Sequence, residues 1–239
     1  IPKWGKIARI PGKNLLEGKA TTQEKTKRWG GIMVTLKKMN YYFRLFFFRK
    51  KWRKINPHNE TIPIRLFPAD RVKVGFYTYG PLNVFTWGAQ EEKLEIGSFV
   101  SIASGVKFLL GGNHQTDRLL SFPVRVKFFN ESQEALSKGP IIVEDDVWIG
   151  MDAMILSGSH IGRGAVIGAM TVVTGEVPPY SIVVGNPSRV VSYRFPEAIR
   201  NQISKISISR ISKEFIVENK ELFINALGNI DVQQFFKED

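Results

Sequence analysis

The chain has 239 residues, enough for one well-cored domain with appendages. It is 43% hydrophobic and 23% charged, ordinary values for a soluble globular protein, and no apolar run approaches the length of a bilayer-crossing helix. The absence of cysteine excludes a covalent thiol mechanism, a disulfide framework and a cysteine-ligated metal. No secretory signal pattern is visible, although the chain begins with Ile1, and a cytoplasmic location is the expectation.

The net charge of +12 is unevenly placed. Residues 1–73 hold 19 Lys or Arg against 4 Asp or Glu, whereas residues 74–239 hold 15 against 18. The basic character therefore belongs to an N-terminal arm, residues 1–71. Within it residues 1–31, with several Gly and Lys, read as flexible or as in part foreign to the natural chain. Residues 36–54 carry eight basic residues and no acidic one, interleaved with Tyr41, Tyr42, Phe43, Phe46, Phe47, Phe48 and Trp52. This reads as a basic aromatic helix. It either packs its rings on the body of the protein or a neighbouring subunit, or makes peripheral contact with an anionic membrane surface.

From Val143 onward the sequence keeps a period of six. Branched aliphatics fall at Val143, Ile149, Ile155, Ile161, Ile167 and Val173, with a small or β-branched residue four places after each: Val147, Ala153, Ser159, Ala165, Thr171 and Val177. An earlier run has the same form, at Ile96, Ile102 and Phe108, and Val74-Gly75 with Thr78 is a candidate unit upstream. Six fits neither a helix nor a simple alternating strand; sustained over this many units it predicts a parallel β-helix. Three hexads close one triangular coil, and successive coils stack about 4.8 Å apart as parallel strands around an aliphatic column.

The repeat breaks between Phe108 and Val143, 35 residues apart. Residues 111–139 read as an excursion loop that leaves the coil at Gly111-Gly112 and returns near Gly139-Pro140. A long loop in a compact repeat domain is more often functional than idle. After Val177, Pro178-Pro179 disturbs the period, and Gly185-Asn186-Pro187 reads as the last turn of the coil. Beyond Pro196 the spacing of Ile199, Ile203, Ile206, Ile211, Phe215 and Ile216 is helical, with Gly228 a candidate end. These helices are expected to cover the open end of the coil stack. The predicted organisation is thus an arm (1–71), an all-β coil domain (72–195) and a C-terminal helical segment (196–239).

Three histidines are available for acid–base chemistry near neutral pH: His58, His114 and His160. His58 lies in the arm, and His160 precedes Ile161 in a hexad, expected at an outward corner. His114 follows Gly-Gly at the start of the excursion loop. By position alone a loop histidine is more often an exposed polar residue than a catalyst.

The hexads, the segment Gly111-Gly112-Asn113-His114, the run Asp146-Val147-Trp148-Ile149-Gly150 and the closing Gly185-Asn186-Pro187-Ser188-Arg189 together resemble the hexapeptide-repeat acetyltransferases. The branch they resemble holds the xenobiotic (chloramphenicol and streptogramin) acetyltransferases and their sugar O-acetyltransferase relatives. The resemblance covers roughly residues 72–225. It implies a left-handed coil, although parallel crossovers are ordinarily right-handed. It also implies a homotrimer with active sites between subunits, and direct acetyl transfer from acetyl-CoA in a ternary complex, with no metal. It makes His114 the general base and puts Asn113 and Asn83 near the acceptor; Trp148 lies along the pantetheine arm or at the acceptor site, or packs as an outward aromatic between subunits. Met151, Ala169, Thr174, Gly175 and Arg189 fall along the CoA groove, the first four through backbone and shape and Arg189 through charge on the phosphates. Relatives commonly have Lys where Gly175 stands, so one phosphate contact is weakened or moved.

The stretch Tyr79-Gly80-Pro81-Leu82-Asn83-Val84 differs from the acceptor-binding stretch of the antibiotic-modifying members. A hydroxyl on a sugar or surface-polysaccharide precursor is therefore the expected acceptor, with an antibiotic hydroxyl as the alternative. A γ-type carbonic anhydrase needs three converging histidines, and Leu119 stands where a partner of His114 would be. A non-catalytic trimeric scaffold is countered by the intact His114 motif and Arg189. The even charge balance outside the arm argues against a nucleic-acid partner.

Overall fold

The computed structural model describes residues 20–226, with side chains from residue 37 onward. Expectations for residues 1–19 and for a helix end at Gly228 lie outside the described residues; residues 20–31, expected to be flexible, are instead helical. The chain divides into two compact units between Arg44 and Leu45. Helix α1 (Ala20–Ile55) runs through that division. In the first unit Met39, Tyr42 and Phe43 are exposed. In the second, Leu45 and Trp52 are buried, and the Phe48 and Trp52 rings meet Phe67 edge-on at 5.0 and 5.4 Å. Trp52 Nε1 donates to Thr61 Oγ1 at 3.0 Å, and Arg49 Nε donates to the Pro63 carbonyl at 2.7 Å. Arg53 donates to the carbonyls of Asn56, Asn59 and Thr61. Part of the basic charge therefore satisfies backbone acceptors at the start of the coil.

The coil has three parallel sheets, visited in turn. The first contains Glu60–Pro63, Tyr79–Leu82, Ser101–Ile102, Trp148–Ile149, Val166–Ile167 and Ser181–Val184. The second contains Val72–Val74, Leu94–Ile96, Ile141–Val143, His160–Ile161 and Glu176–Val177. The third contains Val84–Phe85, Lys107–Leu109, Met154–Leu156 and Val172–Val173. Three-sided parallel winding of this kind fits a left-handed β-helix.

The registers explain the period of six. Ile102 pairs with Ile149, and Ile167 lies between Ile149 and Val183. Val74, Ile96, Val143, Ile161 and Val177 form the second column. Val84, Phe108, Ile155 and Val173 form the third. All these side chains are buried, as are the small residues at the fourth place, Val147, Ala153, Ser159, Ala165 and Thr171. Between strands the chain turns through left-handed backbone at Asp146, Asp152, Met170 and Tyr180, with φ near +59, +58, +58 and +59.

Gly185-Asn186-Pro187 is the last turn of the coil, with the Gly185 carbonyl and the Ser188 N–H bonded to Val172 of the third sheet; beyond it the chain reverses, and Arg189–Tyr193 pairs antiparallel with Ser181–Val184. Two expectations need correction. That returning strand, not the helices, closes the edge of the first sheet. A single antiparallel strand satisfies the exposed N–H and C=O row directly, which a helix side cannot do. The helices α3 (Glu197–Ile203), α4 (Lys213–Glu218) and α5 (Lys220–Ile224) lie in the segment with helical spacing, and Ile203 packs on Tyr180 at a coil corner. His160 is not at a corner. It stands in a strand of the second sheet, Nε2 2.8 Å from Glu144 and Nδ1 3.1 Å from Glu176.

Each column residue contributes about 1.5–3 kcal/mol by burial. Replacing Ile155 with Ala should lower unfolding free energy by about 2–5 kcal/mol in denaturant titration. Ile155→Asp should not fold, because an unpaired charge would enter the column. A native-like Ile155→Asp protein would contradict this register.

Candidate active site

Residues 110–140 leave the coil after Lys107–Leu109 of the third sheet and rejoin it at Ile141–Val143 of the second. They carry one short helix, α2 (Val124–Phe128). The two ends are stapled: Asn113 N–H donates to the Leu136 carbonyl at 3.1 Å and Leu136 N–H returns to Asn113 at 2.8 Å. Asn113 Nδ2 also reaches Ser157 Oγ at 3.3 Å, tying the loop's base to the next coil. Farther out, Glu134 accepts from the Arg125 and Val126 N–H groups and pairs with Arg118 at 3.3 Å. Arg125 pairs with Glu131 at 2.6 Å, and that hydrogen bond and charge hold its guanidinium above the usual arginine value. The loop is braced by its own ion pairs.

His114 is exposed and stands at the loop's first turn. Its Nδ1 lies 2.6 Å from the Ser121 carbonyl oxygen. A carbonyl only accepts, so Nδ1 carries the proton and Nε2 of the neutral ring is left with a lone pair. A cavity of about 230 Å³ adjoins the ring, lined among others by Trp87, Asn113, Phe122 and Gln133. A second, of about 170 Å³, shares Trp87 and Asn113 and continues to Ser157 and Thr174. Together they give a groove along one corner of the coil, with the imidazole at one end.

The floor of that groove is fixed by residues the sequence did not single out. Glu92 is fully buried and accepts from the Trp87 and Gly88 N–H groups at 2.7 and 3.0 Å, with Arg71 3.5 Å away. Trp87 then lies against Gly112. A Cβ built at Gly112, where φ is +88, would meet the indole at 2.8 Å, so this contact requires glycine. A lone acidic residue just ahead of a hexad gives no sequence signal of burial, and Ser121 acts through its carbonyl, which any residue has.

The predicted site residues fall into two groups in one chain. His114, Asn113, Thr174 and Gly175 stand where the third sheet passes to the second. Asn83, Met151 and Ala169 stand where the first passes to the third, at the other end of the same strands. Trp148 projects from the first sheet with 57% of its surface exposed. Thr174 is exposed, and a Cβ at Gly175, where φ is +73, would meet nothing within 4 Å, so the corner is open there. The Met151 carbonyl accepts from Met170 N–H at 2.8 Å and the Gly175 carbonyl from His160 N–H at 3.0 Å, which spends both on the coil. Arg189 is exposed, and among the described residues its Nη1 donates only to its neighbour's carbonyl, Ser188, at 2.9 Å. Among the described residues, no group of three or more His, Asp or Glu could hold a metal ion.

Residues 140–175 match the family of bacterial transferase hexapeptide (six repeats). The chain is also 35% identical over 144 residues to a probable macrolide acetyltransferase from Lysinibacillus sphaericus, which covers 57% of this chain and 80% of that protein. The chain therefore belongs to the hexapeptide-repeat acetyltransferase family. Among particular relatives, chloramphenicol acetyltransferase from Klebsiella aerogenes is 43% identical over 113 residues, 44% of this chain and 54% of that protein. The chain thus spans 54% of the length of that relative. A solved hexapeptide-repeat acetyltransferase from Vibrio cholerae, complexed with acetyl coenzyme A, is 29% identical with a TM-score of 0.44, covering 59% of this chain and 67% of that one.

Removing the buried Glu92 carboxylate would leave the Trp87 and Gly88 N–H groups without their acceptor. Glu92→Ala should cost about 2–4 kcal/mol of stability in urea titration. An unchanged midpoint would mean that the Trp87 turn is held by other groups.

Proposed function

We propose that this chain is an acetyl-CoA-dependent O-acetyltransferase acting on a hydroxyl of a sugar or surface-polysaccharide precursor. The observation that carries the reading is the His114–Ser121 hydrogen bond, which leaves Nε2 as the proton acceptor beside a cavity. In this mechanism Nε2 takes the acceptor's hydroxyl proton as that oxygen attacks the thioester carbonyl. The tetrahedral oxyanion collapses, the C–S bond breaks, and the imidazolium returns its proton to the departing CoA sulfur. No acyl-enzyme forms, in keeping with the ternary complex expected from the resemblance. Arg189, whose guanidinium meets no carboxylate among the described residues, is assigned to the nucleotide phosphates of CoA.

A homotrimer belongs to the same proposal. The two groups of candidate residues stand at opposite ends of the third-sheet strands, so a groove between two copies would bring one group from each together. Outward-facing Tyr79, Ser101, Trp148, Val166 and Ile182 share one row of the first sheet, and its large apolar members suit burial against another copy. Contact of residues 36–54 with an anionic membrane at its cytoplasmic face is a further part of the reading. It is supported by exposed Phe46 and by Lys50, whose Nζ lies 4.6 Å from that ring. No described helix is long and apolar enough to cross a membrane. The antibiotic-acetylating alternative is favoured by the names of the relatives, and the same assay separates the two.

The test is acetyl-CoA-dependent release of free CoA thiol, offering chloramphenicol, a streptogramin, nucleotide sugars and extracted surface polysaccharide. Release with a sugar acceptor is expected, and His114→Ala should reduce it at least about 100-fold while acetyl-CoA still binds. Arg189→Ala should raise the KM for acetyl-CoA more than it lowers kcat. Full activity in His114→Ala would overturn the base assignment.

A further inference from the structure

Beyond the groove beside His114, an aromatic and cationic ladder continues along the first coils. The Trp87 ring, which lines both cavities, lies stacked with Phe85 at 6.2 Å between centroids and an interplanar angle of 20°. On Phe85 in turn lies the guanidinium of Arg65, 3.7 Å from the ring centroid. Phe85 ends a strand of the third sheet and pairs with Leu109, immediately before the chain enters the His114 loop. The ladder thus starts at the loop carrying the proposed base and runs one coil below it.

Two observations separate this ladder from ordinary surface aromatics. First, its inner end is built rigidly: the fully buried Glu92 pins the Trp87 N–H, and Gly112 leaves the space that the indole occupies. Second, Arg65 is half-buried, yet it makes no hydrogen bond or ion pair within the described residues. The other half-buried arginines among the described residues are committed: Arg71 to Glu92, Arg163 to the Ser204 and Ile206 carbonyls, and Arg200 to the Phe195 carbonyl. A guanidinium carries five N–H donors in a fork that suits carboxylate or phosphate. Here that fork is held in place by a ring and unspent.

We infer that Trp87, Phe85 and Arg65 form an acceptor subsite for an acidic oligosaccharide. A sugar ring lies on the Trp87 indole, Phe85 backs the Arg65 guanidinium, and an acidic group one or two sugar units from the acetylated hydroxyl is held by Arg65. Flat aromatic faces suit the C–H faces of pyranose rings, and the cation at the far end selects an anionic chain over a neutral one. This rests on the proposed acetyl transfer to a sugar and specifies the class of sugar.

The probes are trigalacturonate and maltotriose, matched in length and differing in charge, measured by saturation-transfer NMR on the full chain. Wild type should bind trigalacturonate more tightly than maltotriose. Arg65→Gln should remove that preference while leaving maltotriose binding unchanged. Trp87→Ala should weaken both about ten-fold, and Trp87→Phe, which keeps a ring and guards against misfolding, should restore most of it. Equal binding of the two trimers to wild type, or no binding of either, would overturn the subsite. Acetyl-CoA binding and thiol release, measured in parallel, report on the acetyltransferase reading separately: if they fail, that reading fails whatever the trimers do.

Discussion

Everything in this molecule depends on keeping an aliphatic side chain at the same place on every face of every coil. A short parallel strand cannot bury itself; it is stable only when the residue above and the residue below share its column. Ile149 between Ile102 and Ile167, and Ile155 between Phe108 and Val173, are instances of that constraint. It fixes the period at six and forces the turns into left-handed backbone. It also leaves the corners as the places where residues can vary. The candidate chemistry gathers at the corner between the third and second sheets, where one turn expands into the loop that bears His114.

The loop shows how a rigid stack can hold a candidate catalytic group outside itself. Asn113 and Leu136 close its neck, Ser157 ties the neck to the next coil, and Glu134 braces its interior. The Ser121 carbonyl then orients the imidazole. On the coil below, a buried carboxylate sets the Trp87 turn against Gly112. The walls of the groove are built from hydrogen bonds satisfied within the chain.

The period of six made the coil legible in the sequence down to individual registers, because column packing tolerates so few residue types. The helical spacing after Pro196 was legible for the same reason. The reversal after the coil was not. Gly185-Asn186-Pro187 has the composition of any turn, and whether the next strand runs parallel or returns antiparallel is decided by edge pairing that leaves no periodicity. For the site, His114 was visible as a motif, but its partner is a backbone carbonyl with no side-chain signature. Glu92 and Trp87 were invisible because their importance lies in burial and contact rather than spacing. The separation of Met151 and Ala169 from Thr174 and Gly175 appears only once the third sheet is folded between them.

The claim on which the account turns is that the loop presents His114 with its proton on Nδ1 and a bare Nε2. Long-range ¹H–¹⁵N NMR of histidine-labelled protein, at a pH where the ring is neutral, reads this directly, with the spectrum of His114→Gln providing the assignment. The account predicts the Nδ1–H tautomer for His114. A dominant Nε2–H tautomer would mean that the Ser121 carbonyl does not hold the ring, and it would remove the base from the proposed reaction.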